Sequence, residues 1–226
     1  MKSEKKAMIY RWAGLTLIAM GVLILLQIAY TDVYTNFKQR QLQNKWEKST
    51  SAVSEKKEYS PALSSTADGT PESTTTTRRP QETPATTIAR AQFEEEEPFA
   101  RIIIPKIDLD AIVVEGVGTE ALKLGPGHME ETPYPGEVGN MVISGHRVTY
   151  SRPFYYLDEL EIGDLILVSD ATEQYAYYVV ETKVVKPTDV SVIEPTEDRT
   201  LTLTTCNPRF SAKTRLIIVA KMRDDG

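Results

Sequence analysis

The most conspicuous feature in the pattern of apolar and polar positions is an uninterrupted apolar run, WAGLTLIAMGVLILLQIAY, from Trp12 to Tyr30. At about 1.5 Å of rise per helical residue it is just long enough to cross the hydrocarbon core of a bilayer. Residues 31 to 48 are polar and compatible with a short juxtamembrane helix, with Val33, Phe37 and Leu42 spaced loosely for one face. From Ser49 to Gln92 large apolar side chains become scarce and Ser, Thr and Pro take over, including STTTT at 73–77. Such a segment buries too little surface to offset its ordering entropy, which predicts a flexible or glycosylated stalk.

From Phe99 onward the texture changes to short apolar or alternating runs separated by Gly, Pro, Asn and Asp: RIIIPKI, AIVVEGV, NMVISGH, DLILVSD, QYAYYVVETKVV, RTLTLTTC and RLIIVAKM. These predict the strands of an all-β barrel or sandwich, interrupted by two helical stretches around Thr119–Leu124 and Pro153–Leu160. A segment of this size can bury about two thirds of its extended-chain surface, enough for one independent core. The predicted organisation is therefore residues 1–11 on one side of a membrane, a span at 12–30, a largely disordered stalk at 31–98 and a folded domain at 99–226.

Charge adds an orientation and removes a partner class. Lys2, Lys5, Lys6 and Arg11 precede the apolar run, whereas Asp32 is the first charge after it. The positive-inside tendency then keeps the N-terminus cytoplasmic and the folded domain outside the cell. Trp12 and Tyr30 stand at the two ends, where amphipathic rings prefer the interface, and no small-residue cleavage site follows the run. The reading is an uncleaved signal anchor, with a removed signal peptide as its competitor. A formal net charge of −6 gives none of the basic footprint expected of a nucleic-acid-binding domain.

Cys206 is the single cysteine, so an intramolecular disulfide is impossible and its roles reduce to buried filler, intermolecular bridge or reactive thiol. Alternation along Thr200–Cys206 puts Leu201 and Leu203 on one face and Thr200, Thr202, Thr204 and Cys206 on the other. A filler cysteine belongs with the leucines; one among threonines reads as an accessible thiol. If RTLTLTTC and RLIIVAKM pair as a hairpin across NPRFSAKT, Arg215 comes close to Cys206. NMVISGH delivers His146 at a strand end, and the other histidine is His128 in GPGH. Imidazole titrates near neutrality and can accept and return a proton, a thiolate is a potent nucleophile, and a guanidinium can hold an oxyanion. Each residue alone has a blander reading: a hydrogen-bonded loop histidine, a solvated edge arginine, a turn-closing role for His128, packing for Tyr150, Tyr155 and Tyr156.

TLTTC followed by NPRFSAKTR, and GPGH, TPYPGEVGN and MVISGHR with PFYYLDEL behind them, resemble the signature of the sortase family over about residues 99–226. The resemblance implies an eight-stranded sortase-type β-barrel in which Cys206 is the nucleophile, His146 its acid/base partner and Arg215 the oxyanion stabiliser. Thr205 and His128 match positions that shape or contact substrate. The implied reaction is transpeptidation: cleavage of a C-terminal Leu-Pro-x-Thr-Gly-type sorting signal after Thr, and transfer of the acyl group to a cell-wall amine, with no cofactor and no metal. The implied partners are surface proteins carrying such a signal and a cell-wall precursor amine or a pilin lysine. The motifs look most like class E, linked to a Leu-Ala-x-Thr-Gly signal, with class D next. A pilin-polymerising enzyme is the alternative, disfavoured by the lack of a second apolar span after Met222. A catalytically silent binding module and a cysteine peptidase releasing product to water are also compatible with the residues.

Overall fold

The computed structural model describes residues 2–58 and 97–223. Most of the expected stalk, residues 59–96, lies outside the described residues. Eight strands form a closed barrel: β1 (Pro98–Ile104), β2 (Leu109–Glu115), β3 (Gly127–His128), β4 (Gly139–Ser144), β5 (Leu165–Ser169), β6 (Gln174–Val185), β7 (Arg199–Asn207) and β8 (Thr214–Met222), in the spatial order β1-β2-β3-β4-β7-β8-β6-β5. Seven of these correspond to the apolar runs. The eighth, β3, has two residues and is too short to show any periodicity.

Alternate side chains of each strand point inward and make one core. Ile102 and Ile104 of β1, Met141 and Ile143 of β4, Ile166 and Val168 of β5, Tyr177 and Val179 of β6, Leu201 and Leu203 of β7, and Leu216 and Ile218 of β8 meet there with Phe154 and Leu157. Phe154 and Leu157 come from the connection between β4 and β5, which crosses one end of the barrel and contains a 3-10 turn at Leu157–Glu159. The expected helix around Pro153–Leu160 is therefore reduced to this turn, whereas α2 (Thr119–Leu124) forms as expected.

β2 reads as a continuous apolar run because both of its faces are covered. Ala111 and Val113 enter the barrel, while Ile112 and Val114 face outward into a second cluster with Ala121 of α2 and with Leu42 and Trp46 of α1 (Lys2–Glu58). α1 runs without interruption through the apolar span and on to Glu58, ten residues past the predicted end near 48. Its docking face is Thr35, Gln39, Leu42 and Trp46, the spacing of one helical stripe. The face expected from Val33 and Phe37 is corrected: these are 69% and 57% exposed, and of the three residues only Leu42 packs on the barrel.

Main-chain hydrogen bonding decides that rotation. β3 pairs with β2 only at Val114 and Glu115, leaving the Ile112 peptide groups on that edge without a strand partner. The Gln39 amide takes the strand's place, accepting from Ile112 N at 3.1 Å and donating to Ile112 O at 3.2 Å and Leu124 O at 2.6 Å. A Cβ at Gly125 would fall 2.2 Å from Gln39 Nε2, so this residue must be glycine for the amide to reach the edge.

Candidate active site

Three neighbouring strands bring the chemistry-bearing residues together. β4 and β7 run parallel, with Ser144 level with Thr204. Gly145 N continues the ladder onto Thr204 O at 3.1 Å, so the strand end that leads into His146 lies beside the strand end that leads into Cys206. β7 and β8 form the expected hairpin, and Cys206 and Arg215 are direct cross-strand partners. Cysteine and arginine thus face each other across β7 and β8, and the histidine follows just past the end of the neighbouring β4.

Each of the three is held differently. Cys206 is half-buried near the end of its strand, followed by a cis Asn207–Pro208 peptide. His146 is also half-buried, its main-chain carbonyl accepting from Phe154 N at 3.2 Å and its ring 5.0 Å from that of Tyr150. Burial pushes the imidazole below its ordinary range, favouring the neutral ring that can accept a proton. Gly145 must be bare because a Cβ there would lie 2.6 Å from the Phe154 ring, the ring that seats the histidine loop on the core. Arg215 Nη1 donates to the carbonyls of Ala212 and Thr214, both at 3.2 Å, which folds the side chain back over its own turn.

The polar face of β7 is not simply solvent-facing. Thr200 and Thr202 are buried beneath the β6–β7 connection: Thr202 donates to Asn140 Oδ1 at 2.7 Å, and Asn140 Nδ2 donates to the carbonyls of Val192 and Glu194 at 3.0 and 3.1 Å. The cover ends before Thr204 and Cys206, which are partly exposed. Thiol accessibility is thus set by where this connection stops.

His128, expected to contact substrate, lies inside the barrel wall. Its side chain is fully buried, stacked on Phe99 with ring centroids 4.0 Å apart. Nδ1 lies 2.9 Å from Glu115 Oε1, and Nε2 lies 3.1 Å from both the Pro133 carbonyl and Thr132 Oγ1. The Thr205 side chain points to the core side of β7, 3% exposed, and its hydroxyl donates to Gly145 O at 2.7 Å. It acts on the strand end that carries His146.

The sequence reading did not single out Arg147, Asp158, Asn207 or Arg209, which tie the loops around His146 and Cys206. Arg147 Nη1 donates to Asn207 Oδ1 at 2.9 Å and to Cys206 O at 3.3 Å, and Nη2 meets Asp158 Oδ1 at 2.8 Å. Arg209 reaches the same Asp158 oxygen at 2.7 Å and lies over the Tyr155 ring at 4.5 Å. The one signal in sequence was adjacency: Arg147 follows His146 and Asn207 follows Cys206.

The sortase domain family model matches residues 102–223, all but the start of the barrel, including His146, Cys206 and Arg215. The chain belongs to the sortase family. It is 39% identical over 139 residues to sortase D of Bacillus subtilis, covering 58% of this chain and 68% of that protein. To sortase SrtE1 of Streptomyces coelicolor it is 35% identical over 149 residues, 59% of this chain but only 42% of the Streptomyces protein. Among solved structures, a Clostridium perfringens sortase D5 transpeptidase superposes with a TM-score of 0.57 at 30% identity, covering 62% of this chain and 87% of that one. Sortases are cysteine transpeptidases. The apolar part of α1 is long enough to cross a membrane, and its most apolar stretch has no residue buried by the rest of the protein.

Proposed function

We propose that this sortase is an active transpeptidase, anchored by α1 with its barrel outside the cell, that cleaves a C-terminal sorting signal and joins the acyl fragment to a cell-wall amine. The observation that supports this reading is the pairing of Cys206 with Arg215 at the partly exposed end of β7, with His146 two residues past the end of the neighbouring β4. The Cys206 thiolate attacks the carbonyl carbon after the signal's Thr, and the carbonyl electrons move onto oxygen, where Arg215 offsets the charge. As that oxyanion collapses the peptide C–N bond breaks, and protonated His146 gives its proton to the departing amine. An incoming amine then attacks the thioester, His146 takes its proton, and Cys206 leaves as thiolate. The reacting form is a minor thiolate–imidazolium population, so a pH–rate profile belongs to the coupled pair.

Incubating the full-length protein with sorting-signal peptides of Leu-Pro-x-Thr-Gly and Leu-Ala-x-Thr-Gly type and with amines, read by mass spectrometry, tests this function. A thioester on Cys206 resolved faster by amine than by water is the expected result, with none in Cys206→Ala. Release to water alone would make the protein a peptidase, and no thioester at all would leave a binding module. Protease added to protoplasts should digest the barrel; its full protection would overturn the topology.

A further inference from the structure

The main-chain ladder between β4 and β7 ends at Gly145 N and Thr204 O, one residue short of His146 and two short of Cys206. Past that point the histidine-bearing connection turns away, with His146 O accepting from Phe154 N. The Arg147 guanidinium then bridges the gap: its side chain is 2% exposed, and it reaches the main-chain carbonyl of Cys206 and the side chain of the next residue, Asn207. Its other terminal nitrogen grips Asp158, 39% exposed, which also receives Arg209 from the β7–β8 connection. One arginine next in sequence to the histidine is thereby fastened to the cysteine's own peptide group and, through Asp158, to the turn that follows the cysteine.

A buried guanidinium is a poor choice for stability alone, because apolar side chains of similar volume often serve as well or better. Here the desolvation is incompletely met, since Arg147 Nε is buried without a hydrogen-bond partner. What the fork does supply is directional fixing of two strand ends that no longer share a main-chain ladder. We propose that Arg147 is a positioning residue for transpeptidation, holding His146 at its working distance from Cys206, with Asp158 orienting the guanidinium from behind. This rests on the reading of His146 and Cys206 as the reacting pair.

The test uses the full-length protein in detergent micelles as wild type, Arg147→Lys and Asp158→Asn. Lysine keeps the charge but cannot reach Cys206 O, Asn207 and Asp158 at once. Three quantities are measured: kcat and KM for peptide-to-amine transfer, the pH dependence of Cys206 alkylation by iodoacetamide, and the thermal midpoint. For Arg147→Lys the expected result is a fall in kcat of about 10- to 100-fold, the penalty for a misplacement on the order of 1 Å, with KM little changed. The alkylation midpoint should move away from the wild-type value in both variants, the smaller change belonging to Asp158→Asn. A folded Arg147→Lys with wild-type kcat, or with an unmoved alkylation profile, overturns the proposal. If Arg147→Lys does not fold, Asp158→Asn decides: wild-type kcat and alkylation there overturn it equally. Absence of amine transfer in the wild type would strike the functional reading instead, and the alkylation arm would still report whether Arg147 sets the His146–Cys206 relationship.

Discussion

The hydroxyl of Thr205 donates to the carbonyl of Gly145 at 2.7 Å, so the residue before Cys206 is bonded directly to the residue before His146. Thr205→Val keeps the shape of the side chain and removes the donor. Leaving a buried carbonyl unpaired should cost about 1–3 kcal/mol of stability. Turnover should fall as well, because the same bond aligns the two strand ends. Thermal unfolding and transpeptidation assays check this together, and a variant matching wild type in both would show that the bond aligns nothing.

Arg215→Lys separates an oxyanion-binding guanidinium from a charge at a strand start without altering net charge. Loss of the planar fork opposite Cys206 should lower turnover by about 10²-fold or more, on the order of 3 kcal/mol of transition-state stabilisation. Thermal stability should hardly change, since the side chain bonds only to carbonyls of its own turn among the contacts seen. Activity within a few-fold of wild type would remove Arg215 from the mechanism.

Burial lowers the His146 pKa, and the sign of its effect on stability follows. The unfolded imidazole, with a pKa of about 6.5, binds a proton at a pH where the folded one does not, so stability rises with pH through the interval just below 6.5. Above that interval the contribution is complete; it is lost as pH falls through the folded pKa. Denaturant unfolding at a series of pH values should show a shallower acid-side slope for His146→Asn than for wild type. Equal slopes would mean the ring is not held neutral by burial.

His128→Ala should chiefly affect folding. It deletes the ring stacked on Phe99 and strands the buried Glu115 carboxylate, one of whose oxygens, Oε2, already has no partner. An expected loss of about 2–3 kcal/mol would appear in thermal unfolding. Turnover measured well below the midpoint should stay within a few-fold of wild type. A large fall in kcat with normal stability would return His128 to the candidate site.

Trp46→Ala should loosen α1 from the barrel, because Trp46 is 7% exposed and packs with Ile112, Val114 and Ala121. Truncation of a buried tryptophan costs on the order of 3 kcal/mol, enough to open a single-helix contact much more often. Hydrogen exchange at the Ile112 amide, whose partner is the Gln39 side chain, should accelerate accordingly. Unchanged exchange would mean that Gln39 holds the edge without help from the apolar contact.

Local periodicity determined much of this protein. The charge-free run from Trp12 to Tyr30, the alternation that sends Leu201 and Leu203 inward and Cys206 outward, and the hairpin opposing Cys206 to Arg215 all follow from residues near one another in the chain. Other features depend on segments far apart in sequence, and only the tertiary structure decided them. The parallel pairing of β4 with β7 sets the strand end before His146 beside the one before Cys206, and His128 is buried against Phe99 and Glu115. The α1 face was legible only once the short β3 had left the Ile112 edge for Gln39, since apolar spacing alone pointed to Val33 and Phe37. Thr200 and Thr202 look solvated in sequence but are covered by the β6–β7 connection, whereas Cys206 is not. A side chain's periodicity is set by its own strand or helix, but whether its face meets solvent, core or a hydrogen-bond partner is set by whichever distant segment packs there.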